Sequence, residues 1–177
     1  MKIAICGSHG VGKSTLSEHL AKHLGIVVLP DIVIEAHHSG FQINEWSTLT
    51  TQVWLTAKQL ENEKKHSSFI ADKCIYDYHV YAKALSMNPS IVETTRLIAL
   101  DVHDYTHVFY IAPEFELVDE GGLRSIDPVF QSQVHDTYKA FLEEHNISYI
   151  QLTWSIPQRV EQALLHISLT QSSQSKE

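Results

Sequence analysis

Short apolar runs alternate with amphipathic stretches along this chain. Five runs have the length and composition of buried strands: Ile3–Cys6, Ile26–Leu29, Phe69–Ala71, His107–Ile111 and Ile147–Leu152. Because these runs are almost continuously apolar rather than alternating, they are typical of strands that are covered on both faces in a parallel sheet.

Stretches with helical periodicity separate these runs. From Trp46, apolar residues recur at three- and four-residue steps until the charged stretch 61–65. Further helices are expected over residues 77–85, 91–102, 129–144 and 157–167. The alternation predicts an α/β fold with a doubly wound, five-stranded parallel sheet. We expect a single domain over residues 1–169 and a frayed, Ser/Gln-rich tail over residues 170–177.

The turn after the first apolar run carries the most specific motif. Residues 7–14 read Gly-Ser-His-Gly-Val-Gly-Lys-Ser, which matches G-x-x-x-x-G-K-[ST] between a predicted strand and a predicted helix. Glycines let backbone N–H groups approach phosphate oxygens, and the helix N-terminus adds positive potential. We therefore expect Lys13 to reach the β- and γ-phosphates of a nucleotide and the Ser14 hydroxyl to ligate Mg²⁺. The predicted nucleotide-binding residues in this turn are Gly7, His9, Gly10, Val11, Gly12, Lys13, Ser14 and Thr15.

Composition limits the class of protein. The 177 residues are 44% hydrophobic and carry a net charge of −8, which suits an enzyme for small molecules and disfavours a nucleic-acid or anionic-membrane partner. Cys6 and Cys74 fall in or beside predicted strands and are interpreted as buried thiols in a reducing compartment. The first strand leaves no room for a signal peptide, and no apolar run has the length of a membrane span, so we expect a cytoplasmic location. For His37-His38 a polar loop is favoured over a metal site.

Polar residues at the ends of the predicted strands are the next candidates, because doubly wound sheets bind ligands beyond the carboxyl ends of their strands. Asp72 follows the third strand and is a candidate magnesium ligand, with a helix cap as the alternative. Asp31 follows the second strand and is a candidate base for an attacking hydroxyl, with Glu35 as its competitor and a solvated acid as the alternative for either. Lys73 can neutralise a phosphate or pair with Asp72.

The segment 113–128 is polar, contains glycines and follows a strand, which indicates a lid loop. Its one arginine, Arg124, suits nucleotide binding and stabilisation of transition-state charge, while pairing with Asp127 or stacking on adenine are the alternatives. Trp46, Trp54 and Tyr78 are either core residues or stacking partners for a base.

These residues together resemble the P-loop nucleoside and nucleotide kinases, and in particular bacterial and phage kinase-like ATPases related to the nicotinamide-riboside kinase domain. The pattern of that family is a P-loop, an acid in a stretch like E-x-x-R, a D-R-x-x-x-D stretch and a lid arginine followed by an acid. Its counterparts here are residues 7–14, 31–34 and 72–77, and Arg124 with Asp127. The resemblance implies a P-loop kinase fold with phosphotransfer from ATP and Mg²⁺, and a homodimer as a frequent assembly.

Two departures from that pattern bear on the acceptor. Ile34 stands where the family often has arginine, and Lys73 replaces the arginine of D-R. Lysine keeps the charge but loses the planar fork that grips phosphate. Both changes favour an uncharged hydroxyl acceptor, such as a nucleoside, over a phosphorylated one.

Four functions fit these observations to different degrees. The first is a kinase that transfers the γ-phosphate of Mg-ATP to a small nucleoside-like acceptor, with Lys13, Asp31 and Arg124 as catalytic residues. The second is a kinase for a nucleoside monophosphate, or for a base or sugar hydroxyl within DNA or RNA. The negative charge disfavours the nucleic-acid acceptor. The third is a nucleotide-dependent switch or regulatory ATPase: residues 119–122 fit D-x-x-G, but the motif lies far from the P-loop and the chain has no N-K-x-D. The fourth is a protein that holds ATP without turnover, for which no residue argues.

Overall fold

A computed structural model of the protein describes residues 1–102, 104–114, 117 and 124–174. The strands are β1 (Lys2–Cys6), β2 (Val27–Leu29), β3 (Phe69–Ala71), β4 (His107–Ile111) and β5 (Ile150–Leu152). The helices are α1 (Lys13–Leu24), α2 (Ile32–His38), α3 (Leu49–Lys65), α4 (Ile75–Ala84), α5 (Pro89–Asp101), α6 (Pro128–Glu144) and α7 (Ile156–Gln174). All strand pairs are parallel, in the order β2-β3-β1-β4-β5, so the predicted doubly wound sheet is confirmed.

Strand order brings the predicted site residues to one edge of the sheet. The central strand β1 pairs with β3 on one side and with β4 on the other. The chain first winds from β1 towards β2 and β3 and then crosses to β4 and β5. The crevice at such a reversal lies beyond the carboxyl ends of the strands, which is where the loop after β1 and Asp72 after β3 are found.

The sheet is covered on both faces, as the continuous apolar runs predicted. Ile3 and Ile5 pack with α1 and α7 on one face, whereas the alternate residues Ala4 and Cys6 belong to the core on the opposite face. The edge strand β2 is less protected, because Val27 is 43% exposed. None of the helices in the described ranges is long and apolar enough to cross a membrane.

Several element boundaries differ from the predictions for local reasons. The fifth strand begins at Ile150, because Ile147 closes the end of α6 with a hydrogen bond from its N–H to Leu142 O (2.9 Å). The last helix passes its predicted end at Ile167 and reaches Gln174, and on it the Thr170 hydroxyl is hydrogen-bonded to His107 Nε2 (2.9 Å). The predicted loop at His37-His38 is instead the last turn of α2.

A buried polar network fixes the start of α4. The Tyr105 hydroxyl accepts the N–H of Ile75 (2.9 Å) and donates to the Glu63 carboxylate (2.7 Å to Oε1). Gln59 Nε2 donates to Glu63 Oε1 and to Lys73 O, both at 2.8 Å. Burial raises the pKa of Glu63, and the hydrogen bonds from Gln59 and Tyr105 oppose that rise. The network ties α3 to the segment that connects β3 to α4.

We predict that Tyr105→Phe lowers the free energy of unfolding by about 1–3 kcal/mol, because the Ile75 N–H and the Glu63 carboxylate lose a buried partner. Urea denaturation measures the change. Tyr149→Phe is the control: its hydroxyl accepts from Lys139 at a part-exposed position, so a change below about 0.5 kcal/mol is expected. Equal small effects in both variants would contradict the role of the network.

Candidate nucleotide and acceptor site

The loop 7–14 forms a tight turn between β1 and α1. Gly7 has a φ of 142°, and a Cβ there would lie 2.4 Å from Ile111 O on β4, so only glycine fits. Gly12 takes the left-handed conformation at the N-cap of α1, with a φ of 88°. The backbone therefore turns sharply enough for α1 to begin at Lys13, so Lys13 and Ser14 belong both to the loop 7–14 and to the first turn of the helix.

Lys13 lies inside this loop. Its Nζ donates to Gly7 O (2.8 Å) and Ser8 O (2.6 Å), and the side chain is buried. Burial lowers the pKa of Lys13, while the carboxylates of Asp77 and Asp72 act to raise it. The Lys13 ammonium, which is buried and bonded to two backbone carbonyls, therefore supplies the positive charge inside the loop.

Arg124 joins the loop to the end of β2. Its guanidinium NH2 donates to Ser14 Oγ (3.2 Å) and lies 3.9 Å from Asp31 Oδ2. On the other side of Asp31, Lys73 Nζ is 4.0 Å from Oδ1. Lys73 therefore pairs with Asp31, whereas the sequence suggested Asp72 as its partner. Asp127 caps α6 by accepting the N–H of Val129 (2.8 Å).

Asp31 is an ionised carboxylate in this setting. Burial acts to raise its pKa, but Lys73, the N–H of Val33 and Arg124 outweigh burial, so the pKa lies below its ordinary value. The competing acid, Glu35, is half-exposed, and its Oε1 lies 3.4 Å from Lys58 Nζ on α3. Of the two acids, only Asp31 is shown beside Arg124.

The candidate metal ligands offer oxygen atoms of the kind that Mg²⁺ prefers. Ser14 Oγ faces Arg124 at the start of α1, and Asp72 is buried at the end of β3, near enough to Lys13 to affect its pKa. Within the described ranges, no cluster of three or more His, Cys, Asp or Glu side chains is suited to a metal ion. Two protein oxygens fit a magnesium ion whose other ligands are phosphates and water.

Aromatic side chains form a wall behind the loop. The ring of His9 stacks on Phe130 (5.5 Å between centroids, 26° between planes), and its Nδ1 lies 3.3 Å from the Tyr81 hydroxyl. Gln131 Nε2 donates to His9 O (2.8 Å). Burial, followed by the charges of Lys13, Lys73 and Arg124, lowers the pKa of His9 to about 4, so the imidazole is neutral near pH 7.

A cleft beside these aromatic side chains adjoins a second cavity, with which it shares lining residues. The cleft is lined by His9, Asp31, Val33, Ile34, Asn44, Lys73, Tyr81 and Arg124. Four of these side chains, Val33, Asn44, Lys73 and Tyr81, also line the adjoining cavity. Its remaining walls are apolar or aromatic except at Ser47, Gln52 and Asp77. Gln52 and Tyr78 lie in that cavity, and the Gln52 amide donates to Tyr78 O. We call the two parts the charged cleft and the apolar cavity.

The three aromatic candidates for base stacking have different places. Tyr78 is a buried core residue that also lines the apolar cavity, so the core interpretation is confirmed and a stacking role stays a prediction. Trp46 is 77% exposed in a short 3₁₀ helix, Asn44–Trp46, so it is not a core residue. Trp54 stacks on Phe41 at 5.1 Å and packs against the core.

Arg159 lies under the loop, although its sequence context barely indicated a functional role. This fully buried side chain reaches from α7 to donate through NH1 to Val11 O (2.8 Å) and through NH2 to Glu114 Oε2 (3.0 Å). An arginine in an otherwise apolar helical pattern was the only available signal. Half of the predicted lid, residues 115–116 and 118–123, including the D-x-x-G stretch at 119–122, lies outside the described residues.

We predict that Arg159→Met lowers the free energy of unfolding by about 2–4 kcal/mol, because Val11 O and Glu114 lose a buried charged donor while the apolar stem is kept. The matched control is Arg96→Met, whose solvent-exposed pair with Glu93 (2.7 Å) should contribute far less to the free energy of unfolding. Urea denaturation of both variants measures the changes in the free energy of unfolding. Equal losses would contradict the role of Arg159 in holding Val11 O and Glu114.

The stability of Asp31→Asn should depend on pH. A carboxyl whose pKa is depressed in the folded state stabilises the fold above its unfolded pKa, and this contribution is lost as the pH falls through the folded pKa. Asparagine can still cap α2, so the variant removes mainly the charge.

We therefore expect Asp31→Asn to be less stable than the wild type near pH 7 and the gap to narrow below about pH 4. Urea denaturation across this range measures it. Asp136→Asn on the exposed side of α6 should stay within about 0.5 kcal/mol of the wild type. A gap that does not change with pH would contradict this account of Asp31.

Comparison with known proteins identifies the family to which this chain belongs. A family model described as AAA domain (AAA_28) matches residues 2–159. A comparison with curated protein sequences found no match. Among solved structures, deoxyadenosine kinase from M. mycoides is 18% identical at a TM-score of 0.69 and covers 95% of this chain and 99% of its own.

Two further structures share the fold. Thymidylate kinase from Ehrlichia chaffeensis is 15% identical at a TM-score of 0.66, over 94% of this chain and 98% of its own. NadR protein, in complex with NAD and AMP-PNP, is 15% identical at a TM-score of 0.69, over 86% of this chain but only 44% of its own. With a P-loop between β1 and α1 and a five-stranded parallel sheet, the chain belongs to the AAA_28 family of AAA domains and has a P-loop kinase fold.

Proposed function

We propose that this protein is an ATP-dependent kinase that moves the γ-phosphate of Mg-ATP to a hydroxyl of a small nucleoside-like acceptor. The observation that carries the proposal is the bridge of Arg124 between Ser14 in the P-loop and Asp31 at the mouth of the acceptor cleft. It joins a phosphate-binding loop to a carboxylate suited to a hydroxyl. The fold shared with a deoxyadenosine kinase and a thymidylate kinase supports the same reaction class.

The donor half of the reaction belongs to the P-loop. Backbone N–H groups of the loop and the N-terminus of α1 bind the phosphates, and Lys13 leaves its carbonyl partners to bind the β- and γ-phosphates. Ser14 and Asp72 would hold Mg²⁺, which neutralises charge on the phosphates when it is bound. Arg124 stabilises the charge that develops on the transferring group.

The acceptor half belongs to Asp31. The acceptor oxygen forms a bond to the γ-phosphorus while the bond from that phosphorus to the β-γ bridging oxygen breaks, which leaves ADP. The proton of the acceptor hydroxyl passes to the Asp31 carboxylate. Because the pKa of Asp31 is low, the carboxylate is ionised and accepts the proton late, which suits a loose phosphoryl-transfer transition state.

The lining of the two cavities favours an uncharged acceptor with a flat ring. Apolar and aromatic side chains around the Gln52 amide suit a base, with polar groups fixing its orientation. In the charged cleft, Lys73 and Arg124 both lie beside Asp31, and Ile34 adds an apolar side chain. A phosphate on the acceptor would have to compete with Asp31 for those cations.

Transfer to nucleosides tests the proposal. ADP release and product formation are measured with ribonucleosides, 2′-deoxyribonucleosides, nicotinamide riboside, nucleoside monophosphates and a single-stranded oligonucleotide. We expect turnover with at least one nucleoside and the loss of turnover in Lys13→Ala. Turnover only with monophosphates or with the oligonucleotide would overturn the nucleoside assignment.

The base role has its own variants. Asp31→Asn should lower kcat by at least about 100-fold and leave the KM for ATP within about threefold, because the carboxylate acts on the acceptor proton. Glu35→Gln is the matched control and should keep kcat within about twofold, since Glu35 pairs with Lys58. Equal activity of both variants would remove Asp31 from the base role.

A further inference from the structure

His9 lines the charged cleft and carries a ring nitrogen without a partner in the described part of the chain. The residue is 4% exposed and lies among those that line the cleft with Asp31 and Arg124. Phe130 fixes the ring plane by stacking, and the Tyr81 hydroxyl lies at Nδ1. The opposite ring atom, Nε2, is buried and has no hydrogen-bond partner among the described residues. A buried polar nitrogen without a hydrogen bond lowers stability, so a ligand atom that bonds to Nε2 would be favoured.

The charges around His9 indicate which functional group of a ligand would suit Nε2. Lys13, Lys73 and Arg124 are near enough to His9 to lower its pKa and already supply positive charge for phosphates, whereas Asp127 acts to raise that pKa. A neutral imidazole adds no further charge and can donate or accept one hydrogen bond at Nε2. That property suits a hydroxyl, which can also donate or accept.

Position relative to the two cavities identifies which part of the acceptor His9 meets. Gln52 and Tyr78 line only the apolar cavity, and His9 and Asp31 line only the charged cleft. If the base occupies the apolar cavity, the sugar lies across the shared wall with its reacting hydroxyl near Asp31. His9 then faces the sugar and not the base.

We propose that His9 is a specificity-determining residue whose Nε2 hydrogen-bonds a second hydroxyl of the acceptor sugar, beside the hydroxyl that receives the phosphate. The inference rests on the proposed kinase function and deepens it, because it names a sugar with more than one hydroxyl as the acceptor class. An acceptor that lacks this second hydroxyl leaves Nε2 buried without a partner and should lose about 10-fold in kcat/KM.

Paired acceptors test this inference. Adenosine, 2′-deoxyadenosine, 3′-deoxyadenosine and 2′,3′-dideoxyadenosine are assayed with the wild type and with His9→Leu, together with the matching cytidine series. We expect the wild type to lose about 10-fold when one particular hydroxyl is removed and His9→Leu to show a loss of less than about twofold for the same pair. The same loss in both proteins would overturn the inference.

Two polar variants separate a role in recognition from a role in packing. The amide of His9→Gln reaches the position of Nε2, whereas the amide of His9→Asn reaches only that of Nδ1, beside Tyr81. We expect Gln to retain most of the discrimination and Asn to lose it. Retention by Asn and loss by Gln would assign His9 to the contact with Tyr81 instead.

The remaining controls address the fold and the donor. His79→Gln removes another buried histidine with a pKa lowered to about 4 by burial, which lies against Phe141 and Val92 O. It should lower Tm without changing the preference among acceptors. The KM for ATP should stay within about threefold of the wild-type value in His9→Gln. A change in that KM alone would show that His9 contacts ATP and not the acceptor. If the wild type phosphorylates none of the nucleosides, the proposed function fails and the inference for His9, which rests on it, fails with it. An active wild type with the same discrimination as His9→Leu overturns the inference alone.

Discussion

The site depends on the burial of Asp31 between two cations. Lys73 and Arg124 lie on either side of its carboxylate, and Arg124 extends the contact to Ser14. Unpaired charges at such depth would be strongly destabilising, whereas paired charges can be retained at the ends of the strands. The same pairing keeps Asp31 ionised and holds the end of β2 against the phosphate loop. In the proposed reaction, one electrostatic arrangement therefore serves both stability and chemistry.

The rest of the fold keeps the phosphate loop in position behind that arrangement. Arg159 on α7 holds Val11 O, and Gln131 on α6 holds His9 O, so the backbone of the loop is fixed from both layers of helices. The polar network around Glu63 and Tyr105 fixes the start of α4, whose residues line the charged cleft and the apolar cavity. These contacts come from parts of the chain far apart in sequence, and they prepare the site before any ligand arrives.

The sequence predicted the sheet and the loop because both are local patterns. Continuous apolar runs identified all five strands, and the spacing of Gly7, Gly12 and Lys13 identified the phosphate loop. The sequence could not assign the partner of Lys73, because an ion pair between β2 and β3 depends on strand order. Arg159 was missed for the same reason, since its contact with Val11 O spans 148 residues.

The short elements show a second limit of local patterns. Ile147 has the apolarity of a strand residue, yet it closes α6 with a backbone hydrogen bond, and the strand begins three residues later. Helix α2 is too short for a periodic pattern to stand out, and its start depends on the Asp31 carboxylate accepting the N–H of Val33. Tertiary packing and capping decide such boundaries.

The most direct measurement of the central claim is a ³¹P NMR time course of ATP, Mg²⁺ and a nucleoside with the wild-type protein. The account predicts that the γ-phosphate signal disappears as a phosphomonoester signal and ADP appear in equal amounts, and that this depends on the nucleoside. Release of inorganic phosphate at the same rate with and without the nucleoside would contradict it, because the γ-phosphate would then pass to water and not to an acceptor in the cleft beside Asp31.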